Sequence, residues 1–242
     1  MTITPTRPAD GPDSAQSGFR LAAIDMYRDI HKGIRAELFA ITSTAGSLDP
    51  ADQIDRAALG DHVRSVSDLL VMHAHHEDTF LDPVVAAHLP DVAEQINREH
   101  DEIDHHLVRI DDLAQSMVDA AAADQRRLIH LLYLDLASFT GAYLAHLDVE
   151  ERVVMPMLDR ILGPGECAAL HGAIIGSIPP DEMARSLAFM LPAMNVDDRT
   201  EMFAGMRMEA PPEAFDHVLG LARSVLHQPD FAALAARLGV AS

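Results

Sequence analysis

The segment HAHHEDTFLDPVV at residues 73–85 has a counterpart later in the chain, HLDVEERVVMPML at residues 146–158. Both segments place a glutamate four residues and a proline ten residues after a histidine: His73, Glu77 and Pro83, then His146, Glu150 and Pro156. Coincidence explains this repeated spacing poorly. The repeat indicates that two parts of the chain follow one design.

Apolar residues around both segments recur every three or four positions, which is typical of amphipathic helices. The pattern predicts four long helices, with connections at residues 44–53 (TAGSLDPADQ) and 88–91 (HLPD). Pro83 is predicted to end or kink the second helix. Four long helices with short connections predict an all-α protein whose main part is an antiparallel up-down-up-down four-helix bundle.

The sequence changes character after GPGE at residues 163–166. Four helix-start patterns follow, each with Pro or Asp near the first turn: IPPDEM, NVDDRTE, APPEAF and QPDFAAL. We therefore predict a disordered tail at residues 1–18, the bundle at residues 19–162 and a short-helix C-terminal extension at residues 163–242.

Composition limits the classes of partner and compartment. The chain has 242 residues, 48% hydrophobic content and a formal net charge of −20. This charge repels phosphate backbones and anionic lipids, so nucleic acid and membrane partners are not expected. The single Cys167 cannot form an internal disulfide, and residues 1–18 lack the apolar stretch of a signal peptide. A cytoplasmic location is predicted.

The other two long helices repeat as well, because HKGIRAEL from His31 aligns with HDEIDHHL from His100. Each half of the bundle therefore supplies one histidine, followed by a histidine and a glutamate four residues apart. A four-residue step turns a helix by about 400°, so these side chains share the inward face. Buried carboxylates need compensation by hydrogen bonds, ion pairs or metal, and metal is the simplest explanation.

Four imidazoles and two carboxylates suit borderline divalent cations. The predicted metal ligands are His31, His73, Glu77, His100, His146 and Glu150. Each of two ions would receive two histidines, two bridging carboxylate oxygens and a bridging oxide or hydroxide, which leaves about one open position per ion. A lone histidine on an apolar stripe is ordinarily a hydrogen-bonded core residue, and the paired spacing is what favours ligation here.

Other polar residues near the predicted ligands carry weaker signals. Tyr27 and Tyr143 are candidates for a hydrogen bond to a bound ligand, with core packing as the favoured alternative. Asp78 and Glu151 lie around the helix from the ligand stripe, where we expect them to be solvated or to support the ligands from outside.

His31, HAHHE with Pro83, EHD around His100 and HLDVEE with Pro156 together resemble the hemerythrin-like, HHE cation-binding family. The resemblance covers roughly residues 20–160. It implies a four-helix bundle with a non-heme di-iron centre held by the same six residues. Such centres carry or sense oxygen, sense iron, repair iron–sulfur clusters, or process peroxide and nitric oxide.

Two departures from the oxygen-carrying members of that family affect the functional prediction. Those members have His-x3-His on the third helix and His-x4-Asp on the fourth, whereas this chain has Asp104 after His100 and a glutamate after His146. Asp104 is therefore a candidate additional ligand or outer hydrogen-bond partner. Open positions on both ions favour redox chemistry or sensing over reversible carriage.

The leading functional hypothesis is a di-iron protein that binds or activates O2, H2O2 or NO, with manganese or zinc as less favoured metals. Catalysis is left open, with an oxidase or a peroxidase- or catalase-like oxidoreductase as the candidate activity. The alternatives are a non-enzymatic iron or oxygen sensor, and an oxidase or oxygenase acting on an organic substrate. Homodimerisation is also left open.

Overall fold

The structure is a computed structural model that describes residue 22 and residues 24–241. The predicted disordered tail at residues 1–18 lies outside these residues. Within the described part the regular structure is helical, which confirms the all-α prediction. The helices are α1 (Arg28–Ser47), α2 (Gln53–His76), α3 (Asp82–His88), α4 (Pro90–Val118), α5 (Gln125–Val149), α6 (Met155–Ser177), α7 (Pro180–Ala193), α8 (Val196–Glu209), α9 (Pro212–Val225) and α10 (Gln228–Leu238).

Helices α1, α2, α4 and α5 form the predicted four-helix bundle. In this ring α1 packs against α2 and α5, and α4 packs against the same two helices. The short connections at residues 48–52 and 119–124 make sequential neighbours antiparallel. Apolar side chains from all four helices fill the interior, including Ile34, Leu70, Ile110, Leu132 and Phe139.

The first connection is shorter than predicted. Helix α1 continues to Ser47, into the stretch expected to be a loop, because Ala45 is 2% exposed and extends the buried stripe by another turn. Helix α2 begins after Asp52, whose side chain accepts hydrogen bonds from the backbone N–H groups of Ile54 and Asp55.

Neither proline of the repeated segments ends the helical run, so of the two outcomes predicted for Pro83, an end or a kink, the end is wrong. A π-helical turn precedes each proline: the first π turn is Glu77–Leu81 and the second is Glu150–Val154. Proline cannot donate a backbone hydrogen bond and crowds the carbonyl four residues earlier. The wider π turn accommodates this loss, and the helical run continues.

Helix α6 bends at Gly163, which has φ 73° and ψ 169° and is followed by Pro164. The bend falls where the bundle was predicted to close. The part of α6 beyond it packs under the bundle through Cys167, Leu170 and Ile174, against residues of α3, α4 and the two π turns. None of the four helix-start patterns indicated this second half of α6.

Helices α7 to α10 begin at the four predicted start patterns and enclose a hydrophobic core of their own, which contains Leu191, Phe203, Ala222 and Leu234. Helix α7 docks on the flank of α1. A Cβ atom added to Gly33 would lie 3.3 Å from backbone atoms of Met190, so the two helices approach closely there.

One helical run, Gln125–Ser177, contains a window that is long and apolar enough to cross a membrane. The same run includes α5, which supplies Leu132, Leu136 and Phe139 to the bundle core. Core helices of soluble proteins commonly pass this test, so the window is weak evidence for a membrane span.

Candidate metal centre

Six donor side chains converge inside the bundle, one from each of the four bundle helices and one from each of the two π turns. They are His31 on α1, His73 on α2, Glu77 at the start of the first π turn, His100 on α4, His146 on α5 and Glu150 at the start of the second π turn. None is more than 8% exposed. These are the six residues that the sequence predicts as ligands.

The donor atoms form two groups, within each of which all the atoms lie within 4.8 Å of one another. The first group, called site 1 below, contains His31, His73, Glu77 and Glu150. The second, called site 2, contains His100 and His146 with the same two glutamates. Each site therefore takes both of its histidines from one half of the bundle.

Each glutamate directs one carboxylate oxygen to each site. Glu77 Oε1 lies 3.2 Å from His73 Nε2, and its Oε2 lies 3.6 Å from His100 Nε2. Glu150 Oε2 lies 3.4 Å from His31 Nε2, and its Oε1 lies 3.0 Å from His146 Nε2. This is the arrangement that two bridging carboxylates require.

Several of these buried atoms have no hydrogen-bond partner among the described residues. They are both oxygens of Glu77, Oε2 of Glu150 and Nε2 of His100. An unsatisfied buried polar group costs about 1–3 kcal/mol, and more if it is charged. Cations between the donors would satisfy all four atoms at once, so the residues present fit a pair of metal ions.

Each bridging glutamate is the first residue of a π turn. In both turns the backbone N–H five residues after the glutamate donates to the glutamate's carbonyl, from Asp82 to Glu77 and from Met155 to Glu150. The repeated spacing thus places each proline directly after the residue that closes the π turn. Such turns occur frequently at functional sites.

Three of the four histidines have a carboxylate on the ring nitrogen that faces away from the donor groups. His31 Nδ1 lies 3.0 Å from Glu151 Oε1, and His100 Nδ1 lies 3.0 Å from Asp78 Oδ1. His146 Nδ1 lies 2.9 Å from Glu99 Oε2. A carboxylate that accepts this N–H fixes the tautomer and leaves Nε2 free to bind a cation.

Two of these carboxylates are themselves held in place. Arg35 donates to both oxygens of Glu151, at 2.7 and 2.9 Å. Gln95 Nε2 donates to Glu99 Oε1 at 2.8 Å. Asp78 and Glu151 lie in outer positions that their place on the helix predicts, whereas no sequence pattern predicted the roles of Glu99, Arg35 and Gln95.

The buried acids have opposite pKa shifts. Burial and the nearby Glu150 carboxylate raise the pKa of Glu77 well above its usual value. Burial alone would also raise the pKa of Glu150, but the hydrogen bond with His146 and the neighbouring imidazoles lower it to about 2. The two shifts therefore favour the neutral form of Glu77 and the charged form of Glu150.

The pKa values of the two corresponding histidines, His73 and His146, are also shifted in opposite directions. Burial, reinforced by the neighbouring His31, lowers the pKa of His73 well below its usual value. Burial also acts to lower the pKa of His146, but its hydrogen bonds with Glu150 and Glu99 outweigh that effect and the pKa is raised. Corresponding histidines of the two halves thus sit in unlike surroundings.

The two predicted tyrosines are buried beside the histidines. The Tyr27 ring centroid lies 4.9 Å from that of His31, and the Tyr143 centroid lies 5.7 Å from that of His146. Burial and the two glutamates raise the pKa of both phenols well above the usual value, so both stay protonated at neutral pH. Asp104, in contrast, is exposed and belongs to neither group of converging donors in the described part of the chain.

A surface cavity of about 500 Å³ lies against the outer side of site 2 and is lined by His100 with Asp78, Asp82, Asn97 and Asp101, among others. Asp78, Asp82 and His100 also have donor atoms within 4.8 Å of one another. Acidic groups therefore surround the outer face of His100.

Of the comparisons with known proteins, the comparison with protein families agrees with this geometry. No curated protein and no solved structure matches the chain significantly. The family profile described as the hemerythrin HHE cation binding domain matches residues 22–158, which is more than half of the chain and includes all six converging donors. The chain therefore belongs to the hemerythrin HHE cation-binding family.

Proposed function

We propose that this protein is a non-heme di-iron protein that binds or activates a small oxidant, O2, H2O2 or NO, between its four bundle helices. The observation that carries the proposal is that each of two glutamates offers one oxygen to each of two histidine pairs. Four imidazole and two carboxylate side chains suit both ferrous and ferric iron.

The number of protein ligands at each site favours a metal ion that can bind an external ligand over one whose coordination positions are all filled by the protein. Each site offers two imidazoles and one oxygen from each of two carboxylates. That count leaves positions open for an external ligand on ions that prefer five or six donors. Iron held there would supply one-electron redox chemistry and Lewis acidity.

The chain's own residues prepare the interior for such a ligand. Tyr27 and Tyr143 are 3% and 2% exposed, and with the apolar bundle core they exclude bulk water from the donor groups. Their protonated hydroxyls are hydrogen-bond donors in a dry site, where such bonds are strong. Glu151, Asp78 and Glu99 hold three imidazoles in orientation.

Metal analysis of the untagged full-length protein, with an optical spectrum before and after H2O2, tests the proposal. We expect two irons per chain and a near-ultraviolet charge-transfer band that changes on addition of peroxide. The double variant Glu77→Gln/Glu150→Gln is the matched control and should retain neither iron nor the band. Zinc as the only metal, or a spectrum that peroxide and NO leave unchanged, would overturn the proposal.

One observation favours sensing as a second candidate. Helix α1 carries His31 on its inner face, while its outer face holds the C-terminal helices through Gly33, an ion pair of Lys32 with Asp198, and a 3.1 Å contact of Arg28 with Glu201. A sensor would transmit iron occupancy to α7 and α8 through this helix. Removal of iron should then increase protease cleavage after residue 178, without any turnover of oxidant. The cytoplasmic location and the absence of nucleic acid and membrane partners stay predictions.

A further inference from the structure

The duplication makes the two sites directly comparable, because every donor has a counterpart. His31 corresponds to His100, His73 to His146 and Glu77 to Glu150. If the surroundings were equally duplicated, the two cations would be equivalent. Differences at corresponding positions are therefore informative.

One outer contact obeys the duplication. The residue after each bridging glutamate accepts a hydrogen bond from the first histidine of the other half. Glu151 contacts His31 and Asp78 contacts His100, each with a nitrogen–oxygen distance of 3.0 Å. Each site therefore has a carboxylate on one of its two imidazoles.

The second outer contact breaks the duplication. Glu99 lies 2.9 Å from His146 Nδ1 in site 2. Its counterpart one residue before His31 is Ile30, a partly buried apolar residue packed against the bundle core. An isoleucine side chain accepts no hydrogen bond, so His73 in site 1 has no equivalent of Glu99 at this position.

A second pair of corresponding residues, Arg35 and Asp104, also makes the surroundings of site 2 more negative than those of site 1. Arg35 of the first half neutralises Glu151 through two hydrogen bonds. Its counterpart in the second half is Asp104, an exposed anion. At these two pairs of positions site 1 therefore has a neutral residue and a cation, while site 2 has two anions.

We propose that site 2, formed around His100 and His146, binds iron more tightly and fills first, and that Glu99 is the positioning residue responsible for the difference. This inference rests on the proposed function, since it assumes that iron occupies the two groups. Site 1 is then the more weakly held ion, whose coordination is the easier to change.

The physical basis is the effect of a carboxylate on the imidazole that it contacts. The accepted hydrogen bond fixes the ring and raises the basicity of Nε2, and loss of such a partner typically lowers metal affinity about tenfold to hundredfold. The acidic cavity acts with it, since Asp78, Asp82 and Asp101 concentrate cations beside His100. At site 1, the positive charge of Arg35 repels cations instead.

The test is an anaerobic titration of the cation-free, full-length protein with Fe2+, in which isothermal calorimetry measures the heat of each binding step. Two binding steps are expected, with the first at least about tenfold tighter than the second. Replacement of His146 by Gln should remove the tighter step, and replacement of His73 by Gln should remove the weaker one. The opposite assignment would overturn the inference.

Glu99→Gln isolates the charge, because the amide oxygen still accepts from His146. It should weaken the first step by about tenfold and leave the second within about threefold. The exposed Glu102→Gln on the same helix is the matched control and should change neither step. Ile30→Glu, the reverse exchange, should tighten the second step.

The outcomes separate the two proposals. Two irons that bind with equal affinity, or Glu99→Gln weakening both steps equally, would overturn the inference and leave the di-iron function intact. A chain that fails to bind two irons would overturn the proposed function itself. Circular dichroism of each variant shows whether the helices have formed, and Glu99→Gln suffices for the decision if a histidine variant does not fold.

Discussion

Replacing Glu77 by Gln should change stability in opposite directions with and without metal. Glu77 is 3% exposed, and neither of its carboxylate oxygens has a hydrogen-bond partner in the described part of the chain. In cation-free protein this group costs about 1–3 kcal/mol or more. Gln cannot ionise, and its amide N–H groups can donate to the neighbouring Glu150 carboxylate, so the substitution should recover part of that cost.

For a chain of this size each kcal/mol corresponds to about 2–4 °C in Tm. Cation-free Glu77→Gln should therefore melt about 2–10 °C above the cation-free wild type. In the loaded protein the sign reverses, because Glu77 offers an oxygen to both sites. A cation present at a thousandfold excess over its Kd contributes about 4 kcal/mol. Because the variant loses this contribution but keeps its gain of about 1–3 kcal/mol, the loaded variant should melt about 2–12 °C below the loaded wild type.

Thermal unfolding followed by circular dichroism, with and without a chelator, measures both differences. The exposed Glu102→Gln is the control, and its stability should stay within about 0.5 kcal/mol of wild type in both states. If Glu77→Gln lowers Tm equally with and without metal, the carboxylate is stabilised by the protein itself and the reasoning is refuted.

Gly33→Leu should separate α7 from α1, because the glycine already lies against the Met190 backbone; limited proteolysis should then release the C-terminal helices. Gly141→Ala, on α5 with no atom near the added methyl, should instead stabilise the protein by about 0.5–1 kcal/mol in urea unfolding. Phe203→Ala should cost about 3–5 kcal/mol in the core of α7 to α10, while iron content stays unchanged. Burial raises the pKa of Asp111, so the native state binds its proton more tightly and loses stability as pH rises through that pKa. Asp111→Asn should therefore raise Tm at pH 7, and this gain should vanish below about pH 4, which a pH series of melting curves checks.

The six converging donors were predictable because each lies on an inward stripe that sequence periodicity alone defines. Glu99 was not, because it is one residue before His100 and hence about 100° around the helix from that stripe. Its contact with His146 depends on how α4 and α5 are rotated against each other, which is a property of packing. The acidic residue beside a ligand histidine was the one available signal. Arg35 escaped prediction for the same reason, since its partner Glu151 belongs to a helical run more than a hundred residues away.

Local backbone chemistry limited the prediction in another way. Pro83 correctly marked a disturbance of the helix, but sequence rules offered only an end or a kink, whereas the chain inserts a π turn and continues. Similarly, the Gly, Pro, Ser and Asp content of residues 44–53 indicated a loop, while burial of Ala45 keeps residues 44–47 helical. At residues 44–47 packing of the finished bundle overrides the local preference.

The sharing of each glutamate between both sites has a consequence for the order of events during synthesis. His31 needs Glu150, which is translated last of the six donors, and His100 and His146 need Glu77 from the first hairpin. A nascent chain on the ribosome therefore has no complete set of ligands for either site until the whole bundle has emerged. If the protein binds two irons as proposed, uptake should follow synthesis of the complete bundle, and a truncated product that ends before the second π turn should not retain the metal pair.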